Sequence, residues 1–182
     1  MRTEKEIIYD ELLVLRCQRR EKGAFEELIG KWEKRLFYYV RRLVDDEQDV
    51  WDILQQTWLG VIQGIRSLRE PRSLPAWLYS IARNKAMSRL RLEYSERSLP
   101  ESESSLPNTQ EYSETFSFED AELVHYGLSQ ISLPHREALT LYFLEDLSVA
   151  EIADVLGISP GTVKSRLYYA KRALRAVIEK ER

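Results

Sequence analysis

Residues 147–174, LSVAEIADVLGISPGTVKSRLYYAKRAL, predict two helices joined by a very short turn. Ser148 and Glu151 have the S-x-x-E spacing of a capping box, in which side-chain oxygens and backbone N–H groups bond reciprocally at a helix start. Gly157 supplies the left-handed residue that ends this helix, and Ser159 caps the next one. Two capped helices that meet at so tight a turn cross steeply, so the segment is predicted to be a helix-turn-helix.

The second of these helices has a polar, basic outer face. Val163, Leu167 and Ala170 recur with helical spacing and are predicted to face inward. From residue 160 to the C-terminus, seven basic residues are opposed by two acidic ones. A positive helix with hydrogen-bonding side chains near its N-terminus suits the major groove of DNA. The alternative is a solvated face on a purely structural helical hairpin.

The charge of the chain divides it into three parts. The 182 residues have room for one ordinary domain or two small ones. Of the charges behind the net −3, residues 1–94 carry 18 basic and 15 acidic groups, residues 95–120 carry 1 and 7, and residues 121–182 carry 8 and 8. The middle part is rich in Ser and Glu and lacks an apolar period. It predicts a flexible acidic linker between two small helical domains.

Several classes of protein are excluded by what the sequence lacks. Cys17 is the only cysteine, so an internal disulfide is impossible and a reducing cytosol fits. No apolar run approaches the roughly 20 residues of a membrane span, and the charged N-terminus is unlike a signal peptide. No catalytic or metal-ligand motif is present. We therefore expect a soluble, cytoplasmic protein that is not an enzyme and needs no metal, cofactor or small-molecule substrate.

Residues 1–94 predict an all-helical domain. A first helix is expected to end near Gly23, a second to begin at Ala24 and keep its apolar period to Leu43, and a third to run from about Glu47 to Ile65. The apolar side chains that indicate the first helix are Ile8, Leu12, Leu13 and Leu15.

A fourth helix begins near Pro75 and has an unusual charge pattern. Residues 72–92 include five basic residues and no acidic one. At 100° per residue, Trp77, Asn84 and Ser88 gather on one side of this helix. An aromatic ring, an amide and arginines on an acid-free face suit single-stranded DNA, where bases stack and phosphates pair with cations. For Trp77, the alternative is packing beneath the preceding loop.

With both halves considered, the chain resembles an RNA polymerase sigma factor of the bacterial extracytoplasmic-function (ECF) group. All four stretches that carry the resemblance occur in the order and spacing typical of the group, which makes it specific. They are GAFEELIGKWEKRLFYYVRRL, DVWDILQQTWL, AWLYSIARNKAMSRLR and LPHREALTLYFLEDLSVAEIADVLGISPGTVKSRLYYAKRAL.

The resemblance implies three functional surfaces and their partners. Those partners are core RNA polymerase, through its β′ clamp and β flap, and promoter DNA, with an anti-sigma protein as a further candidate. The polymerase surface falls on Asp49, Asp52, Gln55, Gln56, Thr57 and Leu59. The minus-ten surface falls on Leu68, Arg72, Ser73, Trp77, Arg83, Asn84, Lys85, Ser88 and Arg91. The minus-thirty-five surface falls on Thr162, Lys164, Ser165, Arg166, Tyr168, Tyr169 and Arg172, with Arg166 and Arg172 mainly on phosphates.

The segment predicted to dock on polymerase departs from the family pattern. Gln48, Trp51 and Gln56 stand where the family usually has Glu. Fewer carboxylates weaken electrostatic docking on a basic clamp surface. One hypothesis is that phosphorylation of Thr57 restores the charge; the alternative, which the helical position of Thr57 favours, is that this side chain is buried.

Two other functional classes remain open at this stage. A self-standing helix-turn-helix regulator, with an N-terminal half that senses a ligand or dimerises, would bind a palindromic site without polymerase. That interpretation leaves the acid-free face around Trp77 and Asn84 unexplained. A helical enzyme would need a catalytic constellation. The resemblance favours a promoter-specificity subunit with domains at residues 1–94 and 121–182 and a linker at residues 95–120.

Overall fold

A computed structural model of the protein describes residues 2–97, 124 and 126–181. Within these residues all regular secondary structure is helical, which confirms the predicted fold class. The N-terminal helices are α1 (Glu4–Gln18), α2 (Ala24–Arg41), α3 (Glu47–Gly64) and α4 (Leu74–Arg97), with 3₁₀ turns at Ile65–Ser67 and Pro71–Ser73. The C-terminal helices are α5 (Leu133–Leu139), α6 (Val149–Leu156) and α7 (Pro160–Glu181). The predicted linker lies outside the described residues from position 98 onward.

Helices α2, α3 and α4 pack together around the N-terminal core. Leu28, Trp32 and Leu36 of α2 are fully buried, as the apolar period predicted. The ring of Tyr79 in α4 meets Trp32 edge-on at 6.3 Å and Tyr39 at 5.1 Å between ring centroids. These aromatic contacts fix α4 against α2, because edge-to-face pairs add to the stabilisation from burial alone.

Helix α1 buries only part of the apolar residues that indicated it. Leu13 is buried, but Ile8, Leu12 and Leu15 are exposed at 47%, 55% and 39%. The inward stripe also includes Asp10, whose carboxylate lies 2.5 Å from Lys31 Nζ. A hydrophobicity pattern cannot identify the buried face of α1, because a charged residue of an ion pair lies on it.

The boundary between α1 and α2 also differs from the prediction. Helix α1 ends at Gln18, five residues before Gly23. Gly23, at φ +81°, precedes α2 as its N-cap. Arg20 takes a left-handed conformation at φ +59°, which reverses the chain earlier than the glycine signal indicated.

The helix-turn-helix forms as predicted. Ser148 Oγ accepts a hydrogen bond from Glu151 N at 3.2 Å, and Glu151 Oε2 accepts one from Ser148 N at 2.8 Å, so the capping box is complete. Gly157 ends α6 with φ +66°. Ser159 Oγ then accepts from Thr162 N at 3.1 Å and caps α7. The apolar stripe of α6 packs on α7, where Val163, Leu167 and Ala170 are buried, together with Ile152, Ala153 and Leu156 of α6.

A π-helical turn, Thr140–Leu144, follows α5. Glu145 N donates to Thr140 O at 3.1 Å, a bond that spans one residue more than an α-helical bond. A π turn inserts an extra residue and rotates the residues after it about the helix axis. Here it leaves Tyr142 partly exposed and brings Glu145 into the interior.

Substitution of two glycines can distinguish the effect of backbone conformation on stability from the effect of steric crowding. A Cβ atom added at either Gly157 or Gly30 would meet nothing within 4 Å, but only Gly157 has positive φ. We expect Gly157→Ala to lower the free energy of unfolding by about 1–2 kcal/mol, the cost of a left-handed alanine. Gly30→Ala, inside α2, should raise it by about 0.5–1 kcal/mol. Urea denaturation followed by circular dichroism would measure both, and equal effects of one sign would contradict the assignment.

Candidate nucleic-acid and polymerase interfaces

The outer face of α7 presents nearly every side chain of the predicted minus-thirty-five surface. Arg166 is half-buried; the remaining members are exposed, namely Thr162, Lys164, Ser165, Tyr168, Tyr169 and Arg172. Ser165, Tyr168 and Arg172 follow one another at spacings of three and four residues, so they share one stripe along the helix. The structure therefore gathers this set on a single accessible face.

Two aromatic rings lie in the middle of that face and contact each other. Tyr168 and Tyr169 are exposed at 56% and 57%, and their rings meet edge-on at 5.3 Å. The guanidinium of Arg172 lies 5.8 Å from the centre of the Tyr168 ring, within range of a cation–π interaction. Arg172 is thereby held close to the helix surface and in line with Ser165.

The predicted minus-ten surface is only partly accessible. Its exposed members are Arg72, Ser73, Asn84, Ser88 and Arg91. Its half-buried members are Leu68, Trp77, Arg83 and Lys85. Asn84 and Ser88 lie one turn apart on α4, and Ser88 Oγ donates to Asn84 O at 2.8 Å. The accessible part thus consists of hydrogen-bonding and cationic groups on α4 and in the turn that precedes it.

Trp77 and Arg83 have structural partners of their own. Trp77 packs against the hydrophobic core, and a Cβ atom on Gly64 would lie only 3.1 Å from its ring. Trp77 therefore packs at the C-terminal end of α3. Arg83 Nε lies 2.7 Å from a carboxylate oxygen of Glu137 in α5.

Helix α3 carries the predicted polymerase surface, and the structure corrects two of its six members. Asp52, Gln55, Gln56 and Leu59 are exposed, with Leu59 at 51%. Thr57 is completely buried and donates from Oγ1 to Ile53 O at 2.7 Å, so it lies on the inward face. Asp49 is also buried and lies 2.8 Å from Arg89 Nε, so its charge stabilises the packing of α3 on α4.

Two exposed apolar residues of α3 were absent from the predicted set. Trp51 is 47% exposed and its ring lies 4.9 Å from that of Phe37. Ile62 is 49% exposed. Trp51 could have been identified from the sequence, because a tryptophan at a position expected to hold Glu indicates apolar rather than charged contact.

Sequence reasoning also missed a polar cluster between the N- and C-terminal helices. Glu137 of α5 accepts from Tyr39 Oη at 3.0 Å and from Arg83 Nε at 2.7 Å. Glu145 accepts from Arg35 Nε at 3.2 Å and from the hydroxyl of Tyr79. Both carboxylates come from one half of the chain and all four donors from the other. No spacing rule links residues so far apart in sequence.

Burial and the neighbouring charges set the protonation of this cluster. Burial raises the pKa of the Glu145 carboxyl, and the hydrogen bond from Tyr79 and the charge of Arg35 oppose that rise. Burial, followed by the nearby Glu137 charge, raises the pKa of Tyr39 well above its usual range. Burial and Glu145 do the same to the pKa of Tyr79. Both phenols therefore stay protonated near neutral pH and act as hydrogen-bond donors.

The described residues hold no group of three or more His, Cys, Asp or Glu side chains that could bind a metal ion. Among the helices of the same part of the chain, none combines the length and apolar character that crossing a bilayer requires. The single cysteine, Cys17, is buried, and burial raises the pKa of its thiol.

A helix-turn-helix with an exposed polar and basic face is an arrangement that many transcription factors use to bind DNA. Residues 28–94 match the sequence profile of Sigma-70 region 2, and residues 123–174 match that of Sigma-70, region 4. The ECF RNA polymerase sigma factor SigL of Mycobacterium tuberculosis is 33% identical over 146 residues, which cover 79% of this chain and 82% of SigL. The RNA polymerase sigma-H factor of Pseudomonas aeruginosa is 28% identical over 183 residues, which cover 93% of this chain and 94% of that protein.

A solved structure has the same fold. In the complex of sigma factor RpoE with the anti-sigma factor NepR from Bartonella quintana, RpoE superposes with a TM-score of 0.71 at 23% identity, over 88% of this chain and 99% of that one. The chain belongs to the family of ECF RNA polymerase sigma factors. Its function is to bind RNA polymerase and direct initiation at specific promoters, and a self-standing regulator is not favoured.

The burial of Thr57 can be tested against its exposed neighbour. We expect Thr57→Glu to lower the free energy of unfolding by at least about 3 kcal/mol, because it places an unpaired charge in the core. Gln56→Glu adds the same charge to the surface and should change stability by less than about 0.5 kcal/mol. Urea denaturation of the two variants and the wild type makes the comparison. A stable Thr57→Glu protein would contradict the burial and reopen Thr57 as a site of phosphorylation.

Proposed function

We propose that residues 1–94 dock on core polymerase and open the minus-ten region, while residues 121–182 read the minus-thirty-five duplex. Residues 95–120 serve as the tether between them. The matches to region 2 at residues 28–94 and to region 4 at residues 123–174 support this division. The protein then acts by positioning polymerase on DNA and is not itself an enzyme. Its place of action is the cytoplasm, where the polymerase works.

The minus-thirty-five element is read by the exposed face of α7. The observation that carries this proposal is that a doubly capped helix-turn-helix projects the predicted polar side chains from one face. Thr162 and Ser165, near the N-terminus of α7, are suited to base edges, and Tyr168 offers ring edge and hydroxyl to the groove. Arg172, held along the same stripe by the Tyr168 ring, is suited to a phosphate.

The minus-ten element is bound by the accessible part of α4 and the turn before it. Asn84 can hydrogen-bond the edge of an unstacked base, while Arg72 and Arg91 can pair with phosphates. The partial burial of Trp77 makes base stacking on its ring a minor contribution. Arg83 can take part only after it leaves Glu137.

Polymerase is bound by the outer face of α3, and apolar contact replaces part of the charge usual in the family. Asp52 and its neighbours Gln55 and Gln56 supply the polar part. Leu59, Trp51 and Ile62 supply exposed apolar area on the same helix. Buried apolar anchors inside a polar rim give most of the binding energy of such interfaces.

Two further partners are proposed. The β flap of polymerase would contact the C-terminal domain while α7 lies on DNA. An anti-sigma protein is supported as a partner by the solved complex of the similarly folded RpoE with NepR. In either case the partner must bind without relying on the buried members of the predicted surfaces.

The polymerase surface can be tested with two exposed leucines. Leu59→Asp places a charge in the proposed apolar contact and should weaken binding to core polymerase at least tenfold, or about 1.4 kcal/mol. Leu12→Asp, at a leucine of α1 exposed to 55%, should leave that affinity unchanged. Fluorescence titration of labelled protein with core polymerase measures binding, and run-off transcription on promoter fragments gives the functional result. Equal binding by both variants would exclude α3 as the docking helix.

Two arginines one turn apart on α7 test the DNA surface. Arg172→Ala should weaken binding to all promoter sequences alike and reduce the slope of log affinity against log salt by about 1, the signature of a lost phosphate contact. Arg175 pairs with Glu179 and lies outside the proposed surface. Arg175→Ala should therefore keep the wild-type slope. The slopes are measured from the affinity of holoenzyme for promoter duplex at several salt concentrations. Equal slopes for both variants would show that Arg172 makes no phosphate contact.

A further inference from the structure

The contact between the two domains is built around two buried carboxylates. Glu137 and Glu145 are exposed at only 2% and 4%, although each belongs to a residue type that is seldom buried. Glu137 is bound by Tyr39 and Arg83, and Glu145 by Arg35 and Tyr79. We use the term carboxylate latch for Glu137 and Glu145 together. Every side-chain donor described for the latch lies on α2 or α4, in the other domain.

The hydrogen bonds of the latch can be broken when the two domains separate. Charge-assisted hydrogen bonds are strong in a dry interface. When the domains separate, however, water can solvate both the carboxylates and their donors, so no polar group is left buried without a partner. Interfaces between domains of one chain often resemble transient protein–protein contacts. Further polar contacts across the same boundary are the Arg2–Glu151 ion pair at 2.6 Å and the bond from Arg136 to Arg42 O at 3.1 Å.

The backbone around Glu145 is shaped to deliver it to the interface. The π turn Thr140–Leu144 precedes it, and Asp146, with φ +56°, follows it in the left-handed region. Both conformations are uncommon and persist where surrounding contacts hold them. The contacts that hold this backbone include those of the Glu145 side chain and of its carbonyl, which accepts from Arg35 Nη2 at 3.1 Å.

The closed arrangement is incompatible with simultaneous binding of both promoter elements. The minus-ten and minus-thirty-five elements lie about 25 base pairs apart, or roughly 85 Å of B-DNA at 3.4 Å per base pair. A compact chain of 182 residues has a radius of gyration near 16 Å and is about 40 Å across. Helix α6 also lies directly against α4, and Arg83 of the proposed minus-ten surface is held by Glu137.

We propose that the carboxylate latch closes the unbound protein into an inactive form, and that polymerase and promoter can be engaged only after Glu137 and Glu145 leave their partners on α2 and α4. The inhibitory consequence rests on the proposed function, whereas the closure itself does not. A protein that is only fractionally open has an apparent affinity reduced by that fraction. Release of the latch therefore strengthens polymerase binding without any new contact.

The test measures a distance in the full chain without polymerase or DNA. Spin labels on Glu26→Cys in α2 and Ala176→Cys in α7 occupy exposed positions, and Cys17 is fully buried and will not react. Pulsed electron paramagnetic resonance should give one short distance between the two labels in the otherwise wild-type chain. The double change Glu137→Gln, Glu145→Gln keeps side-chain shape and should add a longer population. If the open fraction rises from about 10% to over 50%, the dissociation constant for core polymerase falls about fivefold.

Variants on both sides of the interface exclude simple misfolding. Tyr79→Phe removes one donor from the opposite domain and should open the chain in the same direction, with unchanged helical content by circular dichroism. Glu179→Gln changes a carboxylate of α7 that pairs only with Arg175 among the described contacts, and should leave distance and affinity as in the wild type. If the double variant Glu137→Gln, Glu145→Gln has reduced helical content, the distance measured in Tyr79→Phe determines whether the latch closes the chain.

Each outcome bears on a separate part of the proposal. The same distance in wild-type and latch variants, whether short or long, would overturn the closure. A longer distance without tighter polymerase binding would overturn the inhibition. Absence of promoter-dependent transcription by the wild type with core polymerase would count against the proposed function, while the distance measurement would still decide whether the latch exists.

Discussion

Two carboxylates with almost no exposure, Glu137 and Glu145, connect the helix-turn-helix domain to the N-terminal helices. Their partners are arginine and tyrosine side chains on α2 and α4, so each charge is compensated across a domain boundary. Burial of unpaired charges would be strongly unfavourable. These two side chains therefore help to set how the domains are arranged, because each carboxylate finds its donors in the other domain.

The same helices that build the core also present the functional surfaces, and packing decides which residues remain available. On α3, Thr57 bonds to the turn before it and Asp49 pairs with Arg89, while Leu59 and Trp51 face outward. On α4, Trp77 packs against the core whereas Asn84 stays exposed. A helix offers partners only the face that its own domain leaves uncovered. The surfaces proposed for polymerase and DNA follow from that division.

The outer face of α3 and the domain contact differ in chemical character. The outer face of α3 includes the exposed apolar side chains of Trp51 and Ile62. At the domain contact, Glu137 pairs with Arg83, a residue of the proposed minus-ten surface. An interface with less charge on the polymerase side depends less on electrostatic steering.

The amino-acid sequence by itself determined the features that depend on neighbours along the chain. The capping box of Ser148 and Glu151, the left-handed Gly157 and the apolar stripe of α2 are local, and all were predictable from spacing. Only the tertiary structure decided that Ile8 and Leu12 face outward while Asp10 is buried with Lys31, and that Glu145 reaches Arg35 across 110 positions of sequence. The reason is physical: caps and periodicity involve residues within one or two turns, whereas a buried charge is placed by a distant partner that no local pattern identifies.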